Sequence, residues 1–448
     1  MSEPCCGARR FVAALKRGAL LGVIVLLGQG CGGWWSAAGP APTPPPAAPI
    51  PADAEAMAGA IRFLEDRVRR DPDDFIALNK LGGYYLQRLR ETGDLNFLEL
   101  AGRTARASLA VMPEVQNPSG LGLRAQVAFA AHDFAGARDC ATRLTRLRPG
   151  ESFPQQMLGD ALLELGDYDA AAGAYRRAER TGGRTSFVAA RLGRLAALRG
   201  EDEAARRLYS EALALALALV PASRETVAWC RWQLGEAAFN TGDYPAAEGH
   251  YRDSLTTFPD YYRALGGLGR ARAARGDLQG AIEAYERAAR QLPDPAFVAA
   301  LGDLYQIAGR EAEAARQFQL CEQMARLAAA GGAPYNRQLA LFYADHDLQP
   351  EEAYRLAREE YAARRDIYGA DALAWTALKA GRGVEARQAM REALRLGTRD
   401  ARLLYHAGMI ANAAGDRAAA RDLLRRAVAL SPQFDPRHAP IARRALDD

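Results

Sequence analysis

"MLGDALLELGDYDAAAGAYRRAE", Met157 to Glu179, decides the fold, because its pattern returns along the chain. It recurs as "RLGRLAALRGEDEAARRLYSEAL" (191–213), "QLGEAAFNTGDYPAAEGHYRDSL" (233–255), "GLGRARAARGDLQGAIEAYERAA" (267–289) and "ALGDLYQIAGREAEAARQFQLCE" (300–322). In each, Leu-Gly is followed seven residues later by Gly, then by Ala, then by an aromatic residue. A fixed period of this kind marks stacked supersecondary units rather than separate domains.

These five stretches resemble the tetratricopeptide repeat, a 34-residue helical hairpin. The resemblance implies an all-α, right-handed superhelical solenoid in which each unit is a helix A, a turn and a helix B. The residues explain such a hairpin mechanically. Gly159, Gly193, Gly235, Gly269 and Gly302 let helix A approach helix B, opposite Ala171, Ala205, Ala247, Ala281 and Ala314. Tyr175, Tyr209, Tyr251, Tyr285 and Phe318 fill the space beside them. Gly166, Gly200, Gly242, Gly276 and Gly309 stand where helix A ends and a left-handed cap is needed. Pro149, Pro259, Pro293 and Pro432 close helix B, which proline cannot continue.

Less regular copies extend the array to ten, the first positions of close approach falling at 82, 125, 159, 193, 235, 269, 302, 341, 374 and 408. The gaps before 125, 235 and 341 are longer than the unit. The first is read as a lengthened inter-helix turn. The second contains "ALALALALVPASRET", Ala212 to Thr226, read as a lengthened helix B and the longest helix of the array. The third contains a softer joint at Gly331 and Gly332. The expected organisation is a capping helix over 55–72, copies one to seven over 73–330, copies eight to ten over 331–432, and a polar capping tail over 433–448. The eighth copy has no glycine at its turn.

Ahead of the array, "RRFVAALKRG" runs into the apolar "ALLGVIVLLG" (19–28), too short to span a bilayer comfortably and the size of a secretory leader, so 1–30 reads as a signal peptide. "LLGQGCGG" (26–33) resembles the lipobox of bacterial lipoproteins, with Gly30 and Cys31 in place and Gly28 where that family has Leu. The resemblance implies lipidation of Cys31 and a membrane anchor; cleavage after Ser36 to Ala38 would instead release a soluble product. Residues 31–54 then form a linker, whose seven prolines between Ala37 and Asp53 make an extended spacer.

The 448 residues carry a formal charge of +4, much of it from Arg9, Arg10, Lys16 and Arg17 in the leader. The near-neutral remainder has no electrostatic footprint for nucleic acid. The histidines at 132, 250, 346, 406 and 438 form no metal-ligand motif, and His132 and His346, at inter-helix turns, are expected to be solvated. There is no phosphate-binding loop or dinucleotide fingerprint, so no cofactor and no enzyme is expected. Cys140, Cys230 and Cys321 lie in different repeats, too far apart for disulfides, and read as buried filler.

In the resembled family, helix A lines the concave face. The candidate protein-binding groove comprises Phe187, Arg191 and Arg194 in the fourth copy, Trp229, Trp232, Glu236 and Phe239 in the fifth, and Arg263 and Arg270 in the sixth. The same register places Phe153, Asp160 and Glu164 in the third copy, and Phe342, Tyr368, Trp375 and Tyr405 further on. Aromatic residues beside arginines would suit a peptide with apolar anchors and an acidic group; packing against the preceding helix B is the other reading of Trp229 and Trp232. The expected function is a non-catalytic interaction scaffold or assembly factor of the bacterial cell envelope that binds other envelope proteins or peptides. The alternative is a soluble secreted or periplasmic module that binds peptides or glycans without a lipid anchor.

Overall fold

A left-handed glycine sets the turn of most hairpins, and in four of them the aspartate that follows caps the next helix. Gly166, Gly242, Gly276 and Gly415 adopt left-handed φ values of 80°, 79°, 83° and 80°. The next residue in each case, Asp167, Asp243, Asp277 or Asp416, accepts the amide three residues on and so caps the following helix. Where the second and eighth hairpins lack the glycine, His132 and Asp347 take the same left-handed conformation, at φ 60° and 54°.

The computed structural model describes residues 54–330 and 337–447, all within one unit spanning 46–448. The leader, Cys31, the proline spacer and the Gly331–Gly332 joint lie outside the described residues. Among the described residues there is no strand, and no helix is long and apolar enough to cross a membrane.

α1 (Ala54–Arg70) precedes ten hairpins. The first five are α2 (Phe75–Thr92) with α3 (Asn96–Val111), α4 (Pro118–Ala130) with α5 (Phe134–Leu147), α6 (Ser152–Glu164) with α7 (Tyr168–Gly182), α8 (Ser186–Leu198) with α9 (Asp202–Leu217), and α10 (Arg224–Asn240) with α11 (Tyr244–Thr257). The rest are α12 (Tyr262–Ala274) with α13 (Leu278–Gln291), α14 (Pro295–Ile307) with α15 (Glu311–Ala330), α16 (Arg337–Asp345) with α17 (Pro350–Ala363), α18 (Ile367–Lys379) with α19 (Gly383–Ala393), and α20 (Ala401–Ala413) with α21 (Arg417–Leu430). α22 (His438–Asp447) follows. Within hairpins the helices meet at glycine: a Cβ at Gly159, Gly235, Gly269 or Gly302 would overlap the ring of Tyr175, Tyr251, Tyr285 or Phe318. The even-numbered A helices α2 and α4, α4 and α6, α10 and α12, and α14 through α20 in succession touch one another, whereas successive B helices have no comparable contact. The A helices therefore line the inner, concave side of the stack.

The stack coils back onto itself, and apart from Arg395, which reaches in from the loop after the ninth hairpin, the contacts keep a constant register. The turn of the first hairpin, at Gly93, packs on Leu292, in the loop after the sixth. At the third, the Tyr168 hydroxyl accepts the Ile367 amide at 2.8 Å and the Gly166 carbonyl accepts from Arg395 at 2.7 Å. At the fourth, the Leu198 carbonyl accepts the Thr398 hydroxyl, and Asp202 pairs with Arg399 at 2.8 Å. At the fifth, Tyr244 meets the Ser431 hydroxyl at 3.0 Å and accepts the Gln433 amide at 2.7 Å. Each of these hairpin turns thus meets the loop that follows the hairpin five places on. Gly166 is required twice over here, because its φ is 80° and a Cβ would overlap the Arg365 carbonyl.

Several expectations are corrected. The fourth helix B is not extended through Thr226: α9 ends at Leu217, Ala218 to Ser223 are non-helical, and the Ser223 side chain caps α10. Pro221 cannot continue α9, so the surplus residues go to a loop and to a longer α10. Among the described residues the longest helix is α15, at 20 residues. In the first copy the turn is short and α2 itself absorbs the insertion, with 18 residues. His346 is not solvated: its side chain is 8% exposed, between Asp303 and the Phe342 carbonyl. The C-terminal tail is less a polar cap than a packed one, with His438, Ala439 and Ala442 buried.

Candidate functional site: the concave face

Charges on the concave face pair from one A helix to the next. Asp160 on α6 accepts from Nε and Nη2 of Arg191 on α8, at 2.8 and 2.6 Å, and also from the Tyr175 hydroxyl at 2.9 Å. Glu164 pairs with Arg194 at 2.6 Å and with Arg364, which arrives from across the coil. Glu236 on α10 accepts from Arg270 on α12 at 2.6 Å and from Tyr251 at 2.7 Å. Burial alone would lower the affinity of Arg191 and Arg270 for their protons; the facing Asp160 and Glu236 reverse that and raise it. The groove arginines are thus partnered within the chain, which the repeat register did not indicate. The signal was present as opposite charges about one repeat apart.

The aromatic half of the candidate groove is divided. Phe187 is 51% exposed, Phe239 is buried beneath the Arg270 guanidinium at 4.3 Å, and Trp229 and Trp232 are half-buried with ring centroids 6.4 Å apart. Trp229 packs on the cluster that holds Ala212 and Ala216 of α9, and both tryptophans pack on the cluster that holds Tyr261 and Tyr262. Arg263 lies over Trp232 at 5.4 Å and Tyr262 at 5.1 Å, and remains exposed. Cys230, between the tryptophans, is buried, free and pushed up to about 12 by burial, so its thiolate is suppressed.

A better-formed depression lies further towards the N-terminus. A cavity of about 480 Å³ spans α2, α4 and α6, and Ile76, Asn79, Gly83, Ser119, Gln126 and Phe153 are among the residues lining it. Ile76 and Phe153 are 54% and 39% exposed. Asn79 donates to Asn117 at 2.8 Å and accepts from Ser108 at 2.7 Å, an amide network that holds α2, α3 and the start of α4 in register. Of these residues only Phe153 was singled out as a groove residue, because amides and small side chains give no charge or ring to notice.

At the other end, Trp375 donates to Asp345 at 2.8 Å and stacks on His406 at 4.4 Å. His406 is wholly buried and meets Asp371 at 2.9 Å. Phe342 and Tyr405 are buried with Trp375, while Tyr368 packs at the side of the third hairpin. Among the described residues no group of three His, Cys, Asp or Glu could hold a metal ion.

A match to a family of helical repeats agrees with this architecture. The tetratricopeptide repeat family matches residues 157–220, 233–296 and 372–433. No curated protein matches the sequence. Among solved structures, a tetratricopeptide repeat protein from Parabacteroides merdae ATCC 43184 is 14% identical, with a TM-score of 0.40, covering 54% of this chain and 88% of its own. Human IFIT1, solved as a dimer with PPP-AAAA, is 13% identical, with a TM-score of 0.41 and coverages of 78% and 96%. MamA is 18% identical, with a TM-score of 0.30 and coverages of 37% and 93%. The chain is an all-α solenoid that carries tetratricopeptide repeats over those three matched stretches.

Proposed function

We propose that the protein is a non-catalytic scaffold of the bacterial cell envelope, held at a membrane by a lipid on Cys31, and that its concave face binds extended or helical segments of envelope proteins. The observation that carries the reading is the cavity across α2, α4 and α6, with exposed Ile76 and Phe153 beside the side chains of Asn79 and Gln126. Further along the A helices, Phe187, Trp229, Trp232 and Arg263 keep exposed surface, and they complete the proposed path. Arg191, Arg194, Glu236, Phe239 and Arg270 serve that path as its fixed wall rather than as free ligands.

Purification from the native envelope tests this, comparing wild type with an Ile76→Asp, Phe153→Ala chain and a Trp229→Ala, Trp232→Ala chain. The expected result is loss of the same partner from both folded variants; full retention by both would overturn the reading. Side-chain amides also suit glycan hydroxyls, which supports the second reading, a soluble peptide- or glycan-binding module. Palmitate labelling that Cys31→Ala abolishes favours the anchored scaffold, and absence of labelling in wild type favours the soluble module.

A further inference from the structure

The segment after the last hairpin does more than cover it. A simple end cap touches the final hairpin, α20 and α21. Here Phe434 packs on Tyr405 of α20 at 5.7 Å, and His438 stacks on the same ring at 4.9 Å. His438 also meets the edge of Trp375 on α18, at 6.2 Å, and lies 3.7 Å from Asp345 on α16. Arg437 reaches Asp303 on α14 at 3.4 Å. Three residues within a span of five, Phe434, Arg437 and His438, therefore engage the concave face of four consecutive hairpins, the seventh to the tenth.

The match is chemical as well as spatial. The A helices present Asp303, Asp345 and Asp371 around the rings of Trp375 and Tyr405. The segment brings Phe434, Arg437 and His438, then Ala439 and Ala442, which bury against Ala344, Leu404 and Leu424. Yet the fit is imperfect. Arg402 Nε, His406 Nε2 and His438 Nδ1 are buried without a hydrogen-bond partner, and all three belong to this contact. An optimised core does not cluster such atoms, because each forfeits its hydration without compensation.

We propose that the concave face of hairpins seven to ten is a second binding surface, occupied in cis by residues 433–447. Its partner is a short segment with an aromatic anchor followed three and four residues later by Arg and His at the start of a helix, and that partner competes with the chain's own C-terminal segment. This goes beyond the scaffold reading, which concerns the first six hairpins, and either can fail alone.

The test titrates a labelled synthetic peptide of residues 432–448 into the full-length chain and into a full-length Phe434→Ala, Arg437→Glu chain, followed by anisotropy and by tryptophan fluorescence. The weakened cis segment should leave the surface open more often, so the variant binds the peptide about tenfold more tightly or better. A peptide with Phe434, Arg437 and His438 exchanged for Ala should bind neither chain. Equal affinity for both chains, no binding to either, or equal binding of the exchanged peptide would overturn the proposal. If the double variant does not fold, Arg437→Gln, a partly exposed position, takes its place in the same comparison.

Discussion

The hydroxyl of Tyr168 accepts a hydrogen bond from the amide of Ile367, 199 residues further along the chain, at 2.8 Å and out of contact with water. The Arg395 guanidinium covers the same ring at 5.0 Å. An array whose repeats touch only their neighbours would have no such bond. The two halves of this solenoid therefore stabilise one another, and the coil is a closed body rather than an open spring.

Tyr168→Phe leaves the Ile367 amide buried without an acceptor, and the expected cost is about 1–3 kcal/mol. Because that bond ties hairpin three to hairpin nine, loss should appear mainly as faster amide exchange in α18 and α19. Urea unfolding with exchange detected by mass spectrometry checks this. Protection lost only around α7 would show that the seam does not couple the halves.

Gly235→Ala should destabilise by about 1–3 kcal/mol through overpacking. The added Cβ overlaps the Tyr251 ring, which Gly267 confines from the other side and which is itself fully buried. Gly249, with nothing within 4 Å of its Cβ position, is the control: Gly249→Ala should be neutral or stabilising. Thermal unfolding of the two chains decides it.

Burial would raise the Glu164 carboxyl, but Arg194 and Arg364 together outweigh it and hold the group below the ordinary carboxylate value of 4.5. The unfolded chain thus binds the proton first. The contribution of Glu164 is present in full above that value and is lost as pH falls through the lower folded pKa. Glu164→Gln, which leaves Arg364 to Asp366 and the part-exposed Arg194 to water, should cost about 1–3 kcal/mol at neutral pH. Its stability should then fall less steeply than that of wild type between pH 5 and pH 3, as followed by circular dichroism.

Burial lowers the His438 pKa from its ordinary 6.5; Asp435 and Asp345 pull it up, while Arg402 and His406 on α20 add to the lowering. The released segment therefore takes a proton more readily than the docked one. Docking is strongest above 6.5 and weakens as pH falls below it. Corrected for the intrinsic slowing of exchange between pH 7 and pH 5, α22 should lose protection while α21 keeps it, and His438→Gln should remove the difference. An unchanged α22 would contradict the lowered pKa.

Much of the architecture was legible because it is local. Gly166 with Asp167, the Gly159 and Tyr175 contact, and the prolines Pro149, Pro259, Pro293 and Pro432 after a helix B act within one hairpin, so a periodic sequence states them repeatedly. Where the period broke, the reading slipped. Around Pro221 the alanine and leucine run favours helix, but the proline and the Ser223 cap stop it. At His346 the turn position suggested water, whereas Phe318 and Phe342 enclose the ring at 4.7 Å each.

The candidate groove shows the same division. Register alone put Arg191, Arg194 and Arg270 on the inner face. That they face Asp160, Glu164 and Glu236 follows from how far one A helix turns relative to the next, a quantity no single repeat encodes. The sequence by itself determined ten hairpins, their turns and which helix faces inward, since these rest on short-range sterics and hydrogen bonding. Only the tertiary structure decided that the coil closes five hairpins on and that the C-terminal segment lies in the groove. Small rotations between hairpins accumulate along the stack, and their sum places Tyr168 beside Ile367 and Arg437 beside Asp303.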